Sequence, residues 1–95
     1  MHLSTLLGIT NSLHLYDAEQ TIYAQKPWTP DSVAIVAIEP VQGGLPTEAK
    51  QHSLDYFLEV AIASEFLQDW AATQSPRITP ADACIRIIQY AENDA

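Results

Sequence analysis

The clearest hydrophobic pattern in the chain is the unbroken apolar run at residues 33–38, which reads VAIVAI. The run is short and rich in β-branched residues, which favour strands over helices. A continuous apolar run, unlike an alternating one, is typical of a strand that is covered on both faces. We therefore predict a central strand over residues 33–38, ended by Pro40.

The longest periodic segment covers residues 47–74 and predicts an amphipathic helix. Thr47 is its predicted N-cap, and Ser75-Pro76 breaks the chain after its end. An apolar stripe wide enough to anchor the helix in the core consists of Tyr56, Phe57, Val60, Ala61, Leu67, Trp70 and Ala71.

Shorter patterns predict the remaining elements. Leucines at helical spacing predict a short helix over residues 3–11. Alternation at residues 13–16 and an apolar run at 21–24, separated by DAEQ, predict a β-hairpin. A last helix is predicted from Pro80, with Thr79 as its N-cap. Its predicted buried stripe consists of Ala81, Cys84, Ile85 and Ile88.

The order of these elements predicts an α+β fold. We expect a small antiparallel sheet of about three strands, with the two C-terminal helices packed on it and a short N-terminal helix. A chain of 95 residues supports one modest hydrophobic core. Residues 1–95 are therefore predicted to form a single domain.

Charge narrows the choice of partners. The chain has 12 acidic and 4 basic residues, for a net charge of −8. The basic residues are Lys26, Lys50, Arg77 and Arg86. With so few cations, most carboxylates are either solvated or available to a partner. Such a field repels nucleic acids and anionic membranes and speeds encounter with basic proteins. We predict a basic protein partner, without direct binding to nucleic acid or membrane.

The N-terminal segment MHLSTLLG lacks the basic region and the long apolar run of a secretory signal peptide. No stretch approaches the length of a membrane span. The single cysteine, Cys84, excludes an intramolecular disulfide. Together these features predict a cytoplasmic protein.

No catalytic, metal or cofactor site is predicted. His2, His14 and His52 are far apart in sequence and lack the close spacing of zinc ligands. Cys84 belongs to the apolar stripe of the last helix, which favours core packing over a nucleophilic role. Asp55 and Glu59 are neighbours on the predicted helix, but paired carboxylates divide acid and base roles only in a cleft that separates their pKa values. We therefore predict a non-enzymatic protein.

Five carboxylates project from one side of the predicted helix over residues 47–74, within an arc of about 120°. They are Glu48, Asp55, Glu59, Glu65 and Asp69. Ile62 and Phe66 lie inside this arc, where water-facing positions are normally polar. Either these two side chains pack under the last or the N-terminal helix, or they stay exposed as apolar anchors within an acidic rim.

Trp28, which lies between two prolines, is a second candidate anchor because tryptophan is enriched at binding hot spots. Equally, it can cap the end of the sheet. The predicted partner-binding residues are Trp28, Asp55, Glu59, Ile62, Glu65, Phe66 and Asp69.

In size, acidic charge, α+β layout and an acidic helix with aromatic residues, the chain resembles the small acidic immunity proteins of bacterial toxin systems. These include the inhibitors of contact-dependent growth inhibition toxins. Residues 54–58 (LDYFL) and 89–95 (QYAENDA) are also similar to motifs of small bacterial domains. The resemblance spans the whole chain. It implies a cytosolic antidote that binds one toxin domain, often a nuclease, through carboxylates that replace the phosphates of the substrate.

Two other classes of function stay open. The acidic face can be a homodimer interface of a structural or adaptor protein, although carboxylates would then face their symmetry mates. A small hydrolase using Asp55 and Glu59 is the third class. We expect a free monomer that associates with its partner more slowly as salt rises. Charge reversal at Glu59 and Asp69 is expected to lower the on-rate.

Overall fold

A four-stranded antiparallel sheet organises the protein. The computed structural model describes residues 3–73 and 78–93. The strands are β1 (Ser4–Thr5), β2 (Thr21–Ala24), β3 (Val33–Ala37) and β4 (Asp55–Glu59), in the spatial order β1-β3-β2-β4. The helices are α1 (Leu6–Thr10), α2 (Thr47–Gln51), α3 (Val60–Ala72) and α4 (Pro80–Asn93). The α+β class and the helices at the C-terminal end agree with the sequence prediction, while the sheet has one strand more.

Strand β3 is central and covered on both faces, as its continuous apolar run predicts, but it ends at Ala37 and leaves Ile38 73% exposed. It pairs with β1 on one side and β2 on the other. Ala34 and Val36 point to the first face of the sheet, and Ile35 and Ala37 point to the second. Side chains packed on both faces of the sheet therefore shield β3 from water.

The first face carries the larger hydrophobic core, to which α1, α3 and α4 contribute. Its buried residues are Leu6, Ile9, Leu13, Ile22, Ala24, Ala34, Val36, Phe57, Leu58, Val60, Ala63, Cys84, Ile87 and Ile88. The second face carries a smaller cluster beneath α2 and its flanking loops. That cluster consists of Tyr23, Ile35, Ala37, Ala49 and Leu54.

The single helix predicted over residues 47–74 is wrong. Helix α2 ends at Gln51, the chain turns at Ser53 with a positive φ of 57°, and the Leu54 N–H donates to the Ala49 carbonyl at 2.8 Å. Strand β4 then pairs with β2 before α3 begins. Because an apolar run such as LDYFL suits a buried strand as well as a helix, the open edge of β2 decided its structure.

A register irregularity shapes β4. Tyr56 pairs with Tyr23 and Leu58 pairs with Ile22, so Phe57 is an extra residue between two ladder pairs. Phe57 and Leu58 consequently both join the larger core, whereas Tyr56 packs edge-on against Tyr23 on the second face at 6.4 Å between ring centroids. Helix α3 begins directly after β4, where the Val60 and Ala61 N–H groups donate to the carbonyls of Gln20 and Ala18.

The predicted hairpin is half right. Residues 21–24 form strand β2, but Leu13–Leu15 is a 3₁₀ helix. Strand β2 is paired on both sides by β3 and β4, which leaves no edge for residues 13–16. Leu13 instead enters the larger core, while Leu15 is 72% exposed. The N-terminal helix is confirmed with shorter bounds, and Ser4–Thr5 before it is an edge strand that the leucine pattern concealed.

The last helix starts as predicted. The Asp82 N–H donates to Thr79 Oγ1 at 3.1 Å, and the Thr79 N–H donates to Asp82 Oδ2 at 3.3 Å, which forms a reciprocal cap. Its buried stripe is Cys84, Ile87 and Ile88. The predicted stripe was therefore wrong at Ala81 and Ile85, which are exposed because α4 is rotated to bury Ile87.

Cys84 is fully buried in the larger core, as its position in the apolar stripe predicts. Burial raises the pKa of its thiol, which works against a thiolate nucleophile. Within residues 3–73 and 78–93, no helix has the length and apolar character needed to cross a membrane.

Candidate functional site

The acidic arc predicted on one helix does not exist as a single surface. Glu48 lies on α2, Asp55 and Glu59 lie on β4, and only Glu65 and Asp69 remain together on α3. The arc is wrong because one turn and strand β4 interrupt the predicted helix. The structure thus divides the five carboxylates among different parts of the surface.

Helices α3 and α4 form a depression of about 330 Å³ that keeps four of the predicted residues together. We name this surface the α3/α4 cradle. Its lining residues are Ile62, Glu65, Phe66, Asp69 and Tyr90. The four α3 residues are three or four positions apart, so they project toward one side of a helix. Tyr90 reaches the same place from α4.

Stacked aromatic rings form the base of the cradle. The rings of Phe66 and Tyr90 have centroids 4.3 Å apart and planes inclined by 24°. The guanidinium carbon of Arg86 lies 5.0 Å from the Phe66 centroid, within cation–π distance. Phe66 is therefore half-buried against α4, as in the first of its two interpretations.

Ile62 follows the second interpretation, since it is 37% exposed beside this aromatic pair. A large aliphatic side chain at the edge of a stacked pair extends the apolar base toward solvent. The cradle therefore combines an aromatic ring packed against α4, that of Phe66, with an exposed aliphatic side chain, that of Ile62.

The rim of the cradle is acidic. Glu65 and Asp69 are both exposed and lie one helical turn apart. Among the residues that the structure describes, neither carboxylate has an ion-pair partner. The rim thus presents two solvated negative charges next to apolar and aromatic surface.

Asp55 and Glu59 lie outside the cradle. Both are exposed, at the two ends of β4, where they pair with Ala24 and Thr21. Four residues along a strand separate their α-carbons by roughly 13 Å. They are therefore not the adjacent carboxylate pair that the hydrolase hypothesis assumed.

Trp28 also lies apart from the cradle. Its Nε1 donates to the Ala24 carbonyl at 3.2 Å, and its ring meets Phe57 edge-on at 4.9 Å between centroids. Lys26 Nζ lies 4.9 Å from the Trp28 ring centroid. These contacts fasten the end of β2 to the larger core. They agree with the interpretation in which Trp28 caps the end of the sheet. Trp28 also lines a second depression, together with Pro27 and Ala91.

Sequence reasoning missed Arg86 and Tyr90. Their spacing of four residues on α4 places them on one side of that helix. No pattern within α4 shows that this side meets Phe66, because the contact depends on how α3 and α4 pack together. The contact of Arg86 and Tyr90 with Phe66 follows from the packing of α3 against α4, and the periodicity of either helix does not reveal it.

A second set of acidic and aromatic residues lies on the second face of the sheet. Tyr23 is 1% exposed and its hydroxyl has no hydrogen-bond partner among the described residues. The Thr21 side chain lies near enough to the Tyr23 hydroxyl to act against the rise in its pKa, but it does not form a hydrogen bond with that hydroxyl. Burial and, secondarily, the charge of Glu39 raise the pKa of Tyr23. Burial and the charges of Glu59 and Glu39 likewise raise the pKa of Tyr56.

The histidines do not converge. His14 and His52 are exposed on different elements, and His2 lies outside the described residues. Within the part of the chain that the structure describes, no three side chains of histidine, cysteine, aspartate or glutamate are placed to hold a metal ion. Comparison with protein-family models, curated proteins and solved structures found no match.

Proposed function

We propose that this chain is a non-enzymatic protein-binding module that captures a basic protein through the α3/α4 cradle. The observation that carries the proposal is the combination of apolar base and acidic rim in one depression. Interfaces commonly pair buried aromatic anchors with a polar rim. The cradle has this arrangement, and its two carboxylates have no cationic partner among the described residues.

The charge of the whole chain supports the same partner chemistry. A net charge of −8 attracts a basic protein over distances of about 8–10 Å at ordinary salt. Such attraction mainly accelerates association, whereas apolar anchors slow release. In this proposal, Glu65 and Asp69 accelerate association with the partner, and Ile62 slows its dissociation.

The resemblance to small acidic immunity proteins suggests the biological role of such a binding module. The partner is then a cognate toxin domain, such as a basic nuclease, that is neutralised in the cytoplasm. The carboxylates of the cradle would bind the surface of such a nuclease that contacts the phosphates of its nucleic-acid substrate. A toxin-like reading frame immediately beside the gene would support this form.

The proposal is tested by copurifying the partner and measuring its association kinetics at several salt concentrations. The variant E65Q/D69N removes two charges from the cradle. The control E39Q/E48Q removes two charges elsewhere, at Glu39 after β3 and at Glu48 on α2. We expect the on-rate to fall with salt and to fall further for E65Q/D69N than for the control. Equal on-rates for the two variants would contradict the assignment of the cradle.

Charge reversal separates the cradle from β4. Glu59 and Asp69 were expected to act together, yet only Asp69 lines the cradle. Asp69→Lys is therefore expected to lower the on-rate more than Glu59→Lys does. If Glu59→Lys has the larger effect, the partner binds along β4 instead.

Self-association through the cradle is the competing proposal. In a twofold dimer, Glu65 and Asp69 of one copy would approach those of the other, and like charges at the centre of an interface are unfavourable. We therefore propose a monomer. Sedimentation of the purified protein over a wide concentration range tests this, and a stable dimer abolished by Ile62→Lys would favour the structural alternative.

A further inference from the structure

We infer that the second depression, between the β2–β3 connector and the C-terminal end of α4, binds a small zwitterion, namely a free amino acid or a dipeptide with a large apolar side chain. We name this site the Trp28 depression. Its volume is about 610 Å³, and its lining among the described residues consists of Lys26, Pro27, Trp28, Ala91 and Glu92. None of these residues lines the α3/α4 cradle, so the inference goes beyond the proposed function and does not depend on it.

The size and the lining of the Trp28 depression suit a small molecule. Ligand sites in proteins commonly have volumes of about 300–1,000 Å³, with mostly apolar walls and a few polar groups. Pro27, Trp28 and Ala91 supply apolar surface here, and Lys26 and Glu92 supply two charged groups. The site therefore offers apolar contact to a side chain and opposite charges to the polar groups of a ligand.

The connector wall of the depression is fixed by contacts within the protein. Trp28 Nε1 donates to the Ala24 carbonyl at 3.2 Å, and the Trp28 ring meets Phe57 edge-on at 4.9 Å between centroids. Ser32 is only 8% exposed, and its hydroxyl donates to the Pro27 carbonyl at 3.2 Å. Because this wall is already ordered, a ligand does not have to bear the entropy cost of ordering it.

The two charged groups of the depression are free to meet a ligand. Neither Lys26 nor Glu92 forms an ion pair among the described residues, although both line the same space. Lys26 belongs to the connector wall, where its Nζ lies 4.9 Å from the Trp28 ring centroid. Glu92 lies in the last turn of α4, which contains no basic residue and whose carbonyl end carries partial negative charge. A ligand carboxylate is therefore favoured near Lys26 and a ligand ammonium near Glu92.

The charge of the chain favours a zwitterion over a simple ion. A net charge of −8 opposes the approach of a ligand that carries only negative charge. A ligand with only positive charge gains from Glu92 but meets the ammonium of Lys26 in the same depression. A zwitterion has no net charge to be repelled, and it pairs with both groups.

The test uses four forms of one side chain: L-phenylalanine, N-acetyl-L-phenylalanine, L-phenylalanine amide and N-acetyl-L-phenylalanine amide. At about pH 6 they are zwitterionic, anionic, cationic and neutral. Each is titrated into isotopically labelled protein at about 0.15 M salt, which screens long-range attraction. The Trp28 indole N–H signal is followed by NMR, and the Ile62 methyl signal reports on the cradle. We expect L-phenylalanine to shift the Trp28 signal alone and to bind about two- to fivefold more tightly than either singly charged form.

Two pairs of variants assign the charges. Lys26→Met removes the ammonium and keeps an apolar side chain, and Lys50→Met on α2 is its control. Relative to that control, Lys26→Met should weaken L-phenylalanine binding about two- to fivefold without weakening binding of the cationic amide. Glu92→Gln, with Glu48→Gln on α2 as its control, should weaken L-phenylalanine binding without weakening binding of the anionic form. Loss of fold would weaken all four forms, and thermal unfolding of each variant checks for it.

A fifth ligand, glycyl-L-phenylalanine, carries its ammonium and carboxylate farther apart, and comparison with L-phenylalanine shows whether the site takes a dipeptide or a free amino acid. Equal affinities for the four phenylalanine forms would overturn the zwitterion site, as would equal losses for Lys26→Met and Lys50→Met. An unchanged Trp28 signal with every ligand would also overturn it and would leave the proposed function untouched. Tightest binding by the cationic amide, with the Ile62 methyl shifted as well, would overturn it in favour of general attraction of cations to the acidic surface.

Discussion

The two faces of the sheet carry similar chemical groups in different arrangements. On the first face, α3 and α4 leave a depression in which stacked Phe66 and Tyr90 lie beside solvated carboxylates. On the second face, Tyr23 is buried and Tyr56 packs against it, with Glu39 close enough to influence both hydroxyls. Carboxylates next to aromatic rings therefore do not by themselves define a binding surface. A depression that admits another molecule makes the difference.

Loss of core volume should give the largest difference between the faces. Phe57→Ala empties a buried site in the larger core, where Phe57 also meets Trp28, and should cost about 3–5 kcal/mol of unfolding free energy. Leu54→Ala affects the smaller cluster and should cost about 2 kcal/mol, because a small cluster near a loop relaxes more easily. Urea unfolding measures both. An equal or larger loss for Leu54→Ala would contradict the ranking of the two faces.

Removing the buried hydroxyl of the second face should act in the opposite direction. Tyr23→Phe deletes an oxygen that has no hydrogen-bond partner among the described residues, and should raise the unfolding free energy by about 1 kcal/mol. Tyr56→Phe is the comparison variant, since Tyr56 lies on the same face but is 43% exposed. If Tyr23→Phe destabilises the protein, its hydroxyl has a partner and the second face contains a polar site.

Alkaline pH should reveal the same buried hydroxyl. The folded protein raises the pKa of Tyr23 above its ordinary value of 10.0, chiefly by burial. The unfolded chain therefore loses this proton first. The resulting contribution to stability is complete below about pH 10 and is lost as pH rises through the folded pKa. Cys84 contributes in the same direction, because burial raises its pKa too.

Melting temperatures measured from about pH 8 to about pH 11 check this expectation. Tyr23→Phe should make the decline shallower than in the wild-type protein. Tyr56→Phe should change it less, because its environment is more exposed. Identical slopes for wild type and Tyr23→Phe would show that the hydroxyl titrates equally in both states.

The smallest effects on stability should come from the carboxylates of the cradle rim and of the control pair Glu39 and Glu48. E65Q/D69N and E39Q/E48Q are each expected to change the unfolding free energy by less than about 0.5 kcal/mol, because solvated surface charges contribute little. Differential scanning calorimetry measures both. A loss above about 1 kcal/mol for E65Q/D69N would mean that the cradle carboxylates serve the fold, which would remove them from the binding proposal.

Elements with local signals were predictable. The β3 run requires cover on both faces, and Thr79, Pro80 and Asp82 mark the start of α4 through contacts within one turn. The β4 segment has no comparable local signal. Its residues 54–58 satisfy the apolar pattern of either a helix or a strand, and pairing with β2 decided between them.

The candidate site was predictable where its residues share one helix. Ile62, Glu65, Phe66 and Asp69 come together because residues 60–72 are helical, as predicted. Asp55 and Glu59 separate from them because their segment is extended. Arg86 and Tyr90 were missed because their contact with Phe66 joins two helices.

The amino-acid sequence by itself determined the strong negative charge, the central strand, the capped last helix and the spacing of four cradle residues on α3. Each depends on composition or on interactions within a few residues. Tertiary structure alone decided that β4 interrupts the predicted helix, that Phe57 enters the larger core, and that Tyr90 and Arg86 meet Phe66. Those outcomes depend on which distant segment fills an open strand edge or helix surface, and a local pattern does not encode that choice.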